Sequence, residues 1–380
     1  MATTDVIVIG GGLLGWSAAY RLVRDGARVT VVDRADAGQA TAAGAGIIAP
    51  GASFKYPDAS IPLSQASVDY YPALLKELAE DGETDTGYET VGALFLAQNE
   101  GEAAHLPEAL HIMRQRRDQG MGNIGDARIV DGHEAQSLFP PLAEFPAAIH
   151  IPEAARVNGR LMRDALRRAA EKRGVHLIHT SAEPVRDGGR VSAVKIDGDP
   201  RPVDAVVIAG GAWSSALGDA LGLRLPVEPQ RGQILHMEMP GTDTSRWPII
   251  LGHHGHYLLT FPTNRVVAGA TREVGSGYDV RLTAGGTHEV LSEALRVAPG
   301  LAGATIAEWR VGLRPYSAAD QLPILGRAPG YDNLYLATGH GPSGLQLGPV
   351  SGAIVADLIA GRGSRIDLTP YAADRFGERG

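Results

Sequence analysis

Apolar residues in this chain fall into short unbroken runs, several of which lead into stretches of helical period. Asp5-Val-Ile-Val-Ile-Gly10 is such a run, fit for a strand buried on both faces of a parallel sheet. Behind it Gly15, Ala18, Ala19 and Leu22 share one helical face, and Arg28-Val-Thr-Val-Val-Asp33 reads as a second strand closing on a carboxylate. Leu161–Arg173 predicts an amphipathic helix ended by Gly174, with Val175–His179 following as a strand. Val203–Trp213 and Asn333–Gly339 each run from an apolar strand into glycine, and Ser351–Ala360 predicts a helix stopped by Gly361. Residues 223–317 differ in character, holding the strand-like runs Gln233–Met239, His256–Phe261 and Arg265–Thr271. The pattern predicts an α/β plus α+β chain: a Rossmann-like domain of residues 1–85, 147–222 and 318–380, interleaved with a β-rich domain of residues 86–146 and 223–317.

Within the first predicted β–α–β unit, Gly10-Gly-Gly-Leu-Leu-Gly15 supplies the spacing G-x-G-x-x-G, and Asp33 follows Gly15 by 18 residues. In such a unit the first glycine permits a tight turn, the second lets a pyrophosphate approach the backbone, and the third packs helix on sheet. The helix N-terminus offers free N–H groups to phosphate, and the acid suits a ribose. A dinucleotide site follows, and a nicotinamide dehydrogenase is one reading of it.

Composition narrows the classes. With 380 residues, 44% hydrophobic and 21% charged, the chain can hold two globular domains. Its net charge of −8 argues against nucleic acid as a partner, and the basic run Arg114, Arg116, Arg117 reads as a solvated helix face. Absence of cysteine excludes disulfides, thiolate catalysis and a flavin attached through sulfur. The apolar stretch Val6–Tyr20 is too short for a transmembrane segment and lacks a basic leader, so a cytoplasmic protein is expected.

Five segments, in order, make the chain resemble the D-amino acid oxidase and glycine oxidase family of FAD-dependent amine oxidoreductases. They are the fingerprint above, the small-residue loop Gly38–Pro50, Ala209–Ser214 with Leu225–Gln233, Tyr257–Pro262 with Val267–Thr271, and Trp309–Pro315 running through Asp320–Gly326 to Ala337–Leu345. The resemblance implies a glutathione-reductase type FAD domain beside a substrate domain, with FAD bound noncovalently, since no histidine occurs between Arg34 and Asp69. It implies oxidative deamination of a small amino acid, glycine or D-configured, by hydride transfer from Cα to flavin N5, with oxygen as acceptor. A secondary-amine oxidase, a quinone- or carrier-linked dehydrogenase and a flavin-carrying subunit of a larger complex are the alternatives.

The resemblance also distributes roles. FAD is expected on Gly10, Gly12, Leu13, Leu14 and Gly15, then on Asp33 and Arg34. The small-residue loop adds Thr41, Ala42, Ala43, Gly44, Ala45, Gly46 and Ile47. Val185, Ala209, Gly210 and Trp213 come from the middle of the chain, and Gly339, His340, Gly341, Pro342, Ser343, Gly344 and Leu345 from its end. Backbone can approach a flat flavin closely only where side chains are small, which suits the Ala/Gly loop. Arg314 matches the family's carboxylate-binding arginine, whose planar fork fits a carboxylate with two hydrogen bonds, and it also borders the flavin. Tyr257 matches the tyrosine that assists it. Arg310 is read as supporting or surface and Tyr316 as lining or packing. His253, His254 and His256 are read as a loop rim with no metal, and Lys55 as an exposed lysine or a contact to an acidic substrate group.

Overall fold

The computed structural model describes residues 4–54 and 57–377, so Lys55 lies outside the described residues. The first apolar run forms β1 (Asp5–Ile9), followed by α1 (Leu13–Arg24) and β2 (Arg28–Val32). Val8 sits between Val31 of β2 and Val207 of strand Ala205–Ile208, all parallel and all fully buried. Burial on both faces is what an uninterrupted Val/Ile run satisfies. The sheet has six strands, in the order Ile324–Arg327, Leu334–Thr338, Ala205–Ile208, β1, β2, His176–Ile178, with only the first antiparallel to its neighbour. The predicted helix at 161–173 spans Gly159–Lys172. Asn158 caps it by accepting from the backbone N–H of Arg160 and Leu161, and Met162, Ala165, Leu166, Ala169 and Ala170 form its buried stripe.

The second sheet has eight strands in the order Thr305–Ser317, Val227–Glu238, Arg265–Gly269, His256–Phe261, Ile249–His253, Ala93–Ala97, Ala147–Ile151, Arg128–Asp131. Thr305–Ser317 pairs with Val227–Glu238 along its length, setting Arg314 opposite Gln230 and Gly312 opposite Gly232. Ala147–Ile151 pairs into this sheet, whereas the sequence division gave it to the dinucleotide half. A short apolar strand carries no mark of which sheet it joins, so we place that boundary after Ile151. A three-stranded hairpin sheet, Ala182–Asp187, Arg190–Ile196, Asp199–Pro202, has no counterpart in the sequence reading. Its second turn, Asp197-Gly198, takes positive φ at both residues, the Asp-Gly signal for a tight hairpin. Among the described residues no helix is long and apolar enough to cross a membrane.

The second sheet also buries His236, with neither ring nitrogen finding a hydrogen-bond partner among the described residues. Burial first, then Arg310, pushes its pKa down to about 3. The folded state therefore holds the ring neutral, while the unfolded chain binds a proton near pH 6.5. Stability from this histidine is complete above pH 6.5 and is lost as pH falls toward 3, by up to about 1.4 kcal/mol per pH unit. Urea unfolding at pH 7 and pH 5 should show this loss, and His236→Gln should flatten the slope between them.

Candidate functional site

The site starts at the end of β1. Gly10 turns with φ of +114°, and a Cβ there would stand 2.3 Å from the Ala209 carbonyl oxygen, so the neighbouring strand end lies against bare backbone. Gly12 caps α1 without a side-chain hydrogen bond, which leaves the helix N-terminus open to a ligand. Thr41 Oγ1 accepts from the Leu13 N–H at 3.1 Å. Asp33, at the end of β2, accepts from the Gly11 N–H and from Gln39 Nε2 at 3.1 Å, so the carboxylate stands beside the glycine turn.

From this turn a single cavity of about 1280 Å³ runs to the second sheet. Gly10, Gly12, Leu13, Leu14, Asp33 and Arg34 line one end. Thr41, Ala43, Gly44, Ala45, Gly46 and Ile47 line its flank, with Ala209, Gly210 and Trp213 opposite. His340, Gly341, Pro342, Ser343, Gly344 and Leu345 cover it from the C-terminal segment, and Tyr257 and Arg314 close the far end.

Four expected residues stand elsewhere. Gly15 packs α1 on β1, since a Cβ there would meet the Gly10 carbonyl. The Ala42 carbonyl accepts from Arg160 Nε at 3.0 Å, and the residue does not line the cavity. Gly339, with φ of +74°, lies against Ile324 and Ser317 and supplies the turn that brings His340 inward. Val185 is held in the hairpin sheet opposite Ala193, and Glu183 and Pro184 line the cavity instead. Arg310 is bound to Glu308 at 2.7 Å outside the cavity, and Tyr316 bridges to His340.

At the far end, Arg314 Nη1 donates to the Thr271 carbonyl at 2.9 Å and to Gln230 Oε1 at 3.4 Å. The guanidinium lies over Gly232, where any Cβ would stand within 2.4–2.6 Å of its atoms. The Tyr257 ring lies over Gly269 in the same way, opposite it in register. Burial pushes the Tyr257 hydroxyl up, against the pull of Arg314 and Arg272, so it stays a donor at neutral pH. His340 is buried, which pushes it down to about 4 and keeps it neutral. His340 Nε2 lies 2.9 Å from Ser351 Oγ, which is also 2.9 Å from the Leu347 carbonyl oxygen. His254 and His256 line the cavity rim and face Glu293 and Glu289 at 3.3 and 3.2 Å.

Sequence reading missed Gly232, Gly269, Thr271 and Arg272. The first three lie in segments quoted for the resemblance, but only the sheet register shows which side chains they support.

A family model described as DAO, FAD dependent oxidoreductase, matches residues 5–358. The chain belongs to the DAO family. This DAO-family chain is 42% identical over 366 residues to the uncharacterized oxidoreductase YurR of Bacillus subtilis (strain 168), covering 96% of the chain and 97% of the relative. It is 33% identical over 373 residues to the glycine oxidase of Pseudomonas aeruginosa (strain PAO1), covering 97% and 98%. The crystal structure of iminodiacetate oxidase from Chelativorans sp. BNC1 superposes with a TM-score of 0.92 at 42% identity, covering 97% and 98%.

The DAO family uses FAD, and the residues present fit that group. The cavity exceeds the roughly 300–1,000 Å³ of an ordinary small-molecule pocket, which leaves room for an extended dinucleotide and a second ligand. Among the described residues, a Cβ at Gly211 or Gly341 would meet nothing within 4 Å, and at Gly12 the nearest atom is Thr41 Oγ1 at 3.4 Å. Bare backbone therefore faces the cavity where phosphates and a flat ring need close approach. The chain is an FAD-dependent oxidoreductase.

Proposed function

We propose that this enzyme oxidises the CH–N group of a small amino acid, primary or N-substituted, with molecular oxygen as acceptor. One observation carries the reading: a guanidinium and a phenol converge at one end of the cavity whose other end is the dinucleotide turn. Arg314 takes the substrate carboxylate with its fork, and the Tyr257 hydroxyl donates to the same group. The Thr271 carbonyl fixes one edge of that fork before substrate arrives, so little orientation entropy remains to be lost. The positive field of Arg314 and Arg272 disfavours an ammonium, which promotes loss of the amine proton to solvent. Phe54 and Phe95, packed edge to face at 5.7 Å, give the cavity wall an apolar stretch. FAD, when bound, supplies the two-electron acceptor. The substrate loses a hydride from Cα and a proton from nitrogen; water then splits the imine into a 2-oxo acid and the freed amine. Oxygen leaves as hydrogen peroxide. The oxidase names of the relatives support this acceptor, and the 42% identity to an iminodiacetate oxidase favours an N-substituted substrate.

An anaerobic bleaching screen tests the reading, using glycine, sarcosine, D- and L-proline and D- and L-amino acids on the purified holoenzyme. One class should bleach the flavin, and readmitted air should restore it with peroxide. Bleaching that persists in air would assign another acceptor; no bleaching by any amine would sink the proposal. Gly232→Ala probes the geometry separately. The added methyl displaces the Arg314 guanidinium, the mobile end of a side chain, so the protein should fold and keep its flavin. Its KM should rise by about 100-fold, the scale of a 1 Å misplacement at a reacting site.

A further inference from the structure

Among the described residues, three arginines line the cavity: Arg34, Arg272 and Arg314. Arg34 is bound to Asp36 at 2.6 Å beside the dinucleotide end, and Arg314 is anchored on Thr271. Arg272 is exposed to the cavity and, among the described residues, makes no hydrogen bond or ion pair. Its backbone is nonetheless fixed. Thr271 N donates to the Gln233 carbonyl and Glu273 pairs with Arg231, so residues 271–273 continue the ladder beyond strand Arg265–Gly269. Thr271 is buried, accepting from the Gln233 N–H at 3.1 Å and donating to Glu273 Oε1 at 2.7 Å. Arg272 itself lines the cavity together with Tyr257 and Arg314.

The nearby carboxylates are already committed. Glu273 accepts from Arg231 Nε at 3.0 Å, from Gln233 Nε2 at 2.6 Å and from Thr271. Glu102, on the cavity wall, accepts from the Gln98 N–H at 2.8 Å and Asn99 Nδ2 at 3.2 Å. Asp33, Asp36 and Glu183 belong to the dinucleotide half. Adjacent residues thus tie two cations to one end of the cavity: Arg314 through the Thr271 carbonyl, and Arg272 directly. The Tyr257 hydroxyl feels both. Like charges in a partly dry cavity raise its free energy, and a ligand with two negative groups relieves that.

Resting on the amine-oxidation reading above, we propose that Arg272 forms a second carboxylate subsite, so that the substrate is an amine carrying two carboxylates, one on Arg314 and one on Arg272.

Calorimetry on the holoenzyme tests this without turnover. Diglycolate carries two carboxylates about an ether oxygen, and methoxyacetate is its counterpart with one. Diglycolate should bind about 10- to 100-fold tighter, the range for one charge-assisted pair. R272Q should bring the two to within about threefold, because a neutral amide leaves one cation for the ligand to meet. In turnover, the paired amines iminodiacetate and sarcosine, and D-aspartate and D-alanine, place the second carboxylate on nitrogen or on the carbon side; preference in either pair, abolished by R272Q, supports the subsite. Equal binding of the two ethers by the unaltered enzyme would overturn it, as would an R272Q variant that weakens both alike through displacement of Arg314. Should glycine or sarcosine bleach the flavin while diacids hold no advantage, amine oxidation stands and the subsite falls. Should no amine bleach it, amine oxidation falls, and the diglycolate titration still decides what Arg272 binds.

Discussion

Arg314→Ala should raise the KM for the amino acid by about 30- to 4,000-fold while the purified protein stays yellow, since truncating one partner of a buried charge pair costs about 2–5 kcal/mol. The separation of effects follows from the architecture. Arg314 belongs to strand Thr305–Ser317 of the eight-stranded sheet, whereas the glycine turn and Asp33 belong to the six-stranded one. Removing the guanidinium frees the Thr271 carbonyl and Gln230 amide, and since Arg314 lines the cavity, water can enter the space it leaves. Arg314→Lys should recover part of the loss, because it restores charge without the planar fork. Steady-state kinetics with a flavin absorbance ratio on each variant would check both. Loss of flavin, or failure to fold, would make the arginine structural and remove the basis for the proposed substrate class.

Gly12→Val should give a folded, colourless protein. Gly12 has φ of −74° and ψ of −176°, extended backbone that valine adopts without strain. Its Cβ would enter the cavity, so the valine methyls would occupy space beside the helix N-terminus where phosphate must approach. Gly10→Val is the contrasting case. There the side chain would collide with the Ala209 carbonyl at a φ of +114°, and misfolding is expected. Circular dichroism and flavin content, measured together, separate these outcomes. Normal FAD occupancy in Gly12→Val would contradict the phosphate-site assignment.

Much of the dinucleotide half was legible because its signals are local. The turn at Gly10–Gly15, the strand ending at Asp33 and the stripe of helix Gly159–Lys172 each depend on spacing within a single β–α step. Segments whose meaning depends on distant partners were less legible. Val185 lies near residues that line the cavity, yet hairpin pairing with Ala193 turns it away. Ala147–Ile151 is an apolar run that either sheet would accept. Gly232 gains its role only because antiparallel register sets it opposite Gly312, beneath a guanidinium from another strand.

The order of small residues and apolar runs therefore determined, by itself, that this chain builds a dinucleotide turn and a β-rich partner domain, because those features follow from backbone sterics and period. Tertiary structure decided what the far end of the cavity can bind. Arg272 and Arg314 are 42 residues apart in sequence, and only the pairing of Thr305–Ser317 with Val227–Glu238, and of that strand with Arg265–Gly269, brings both charges to one cavity. Charge acts through space, so its meaning waits on the fold.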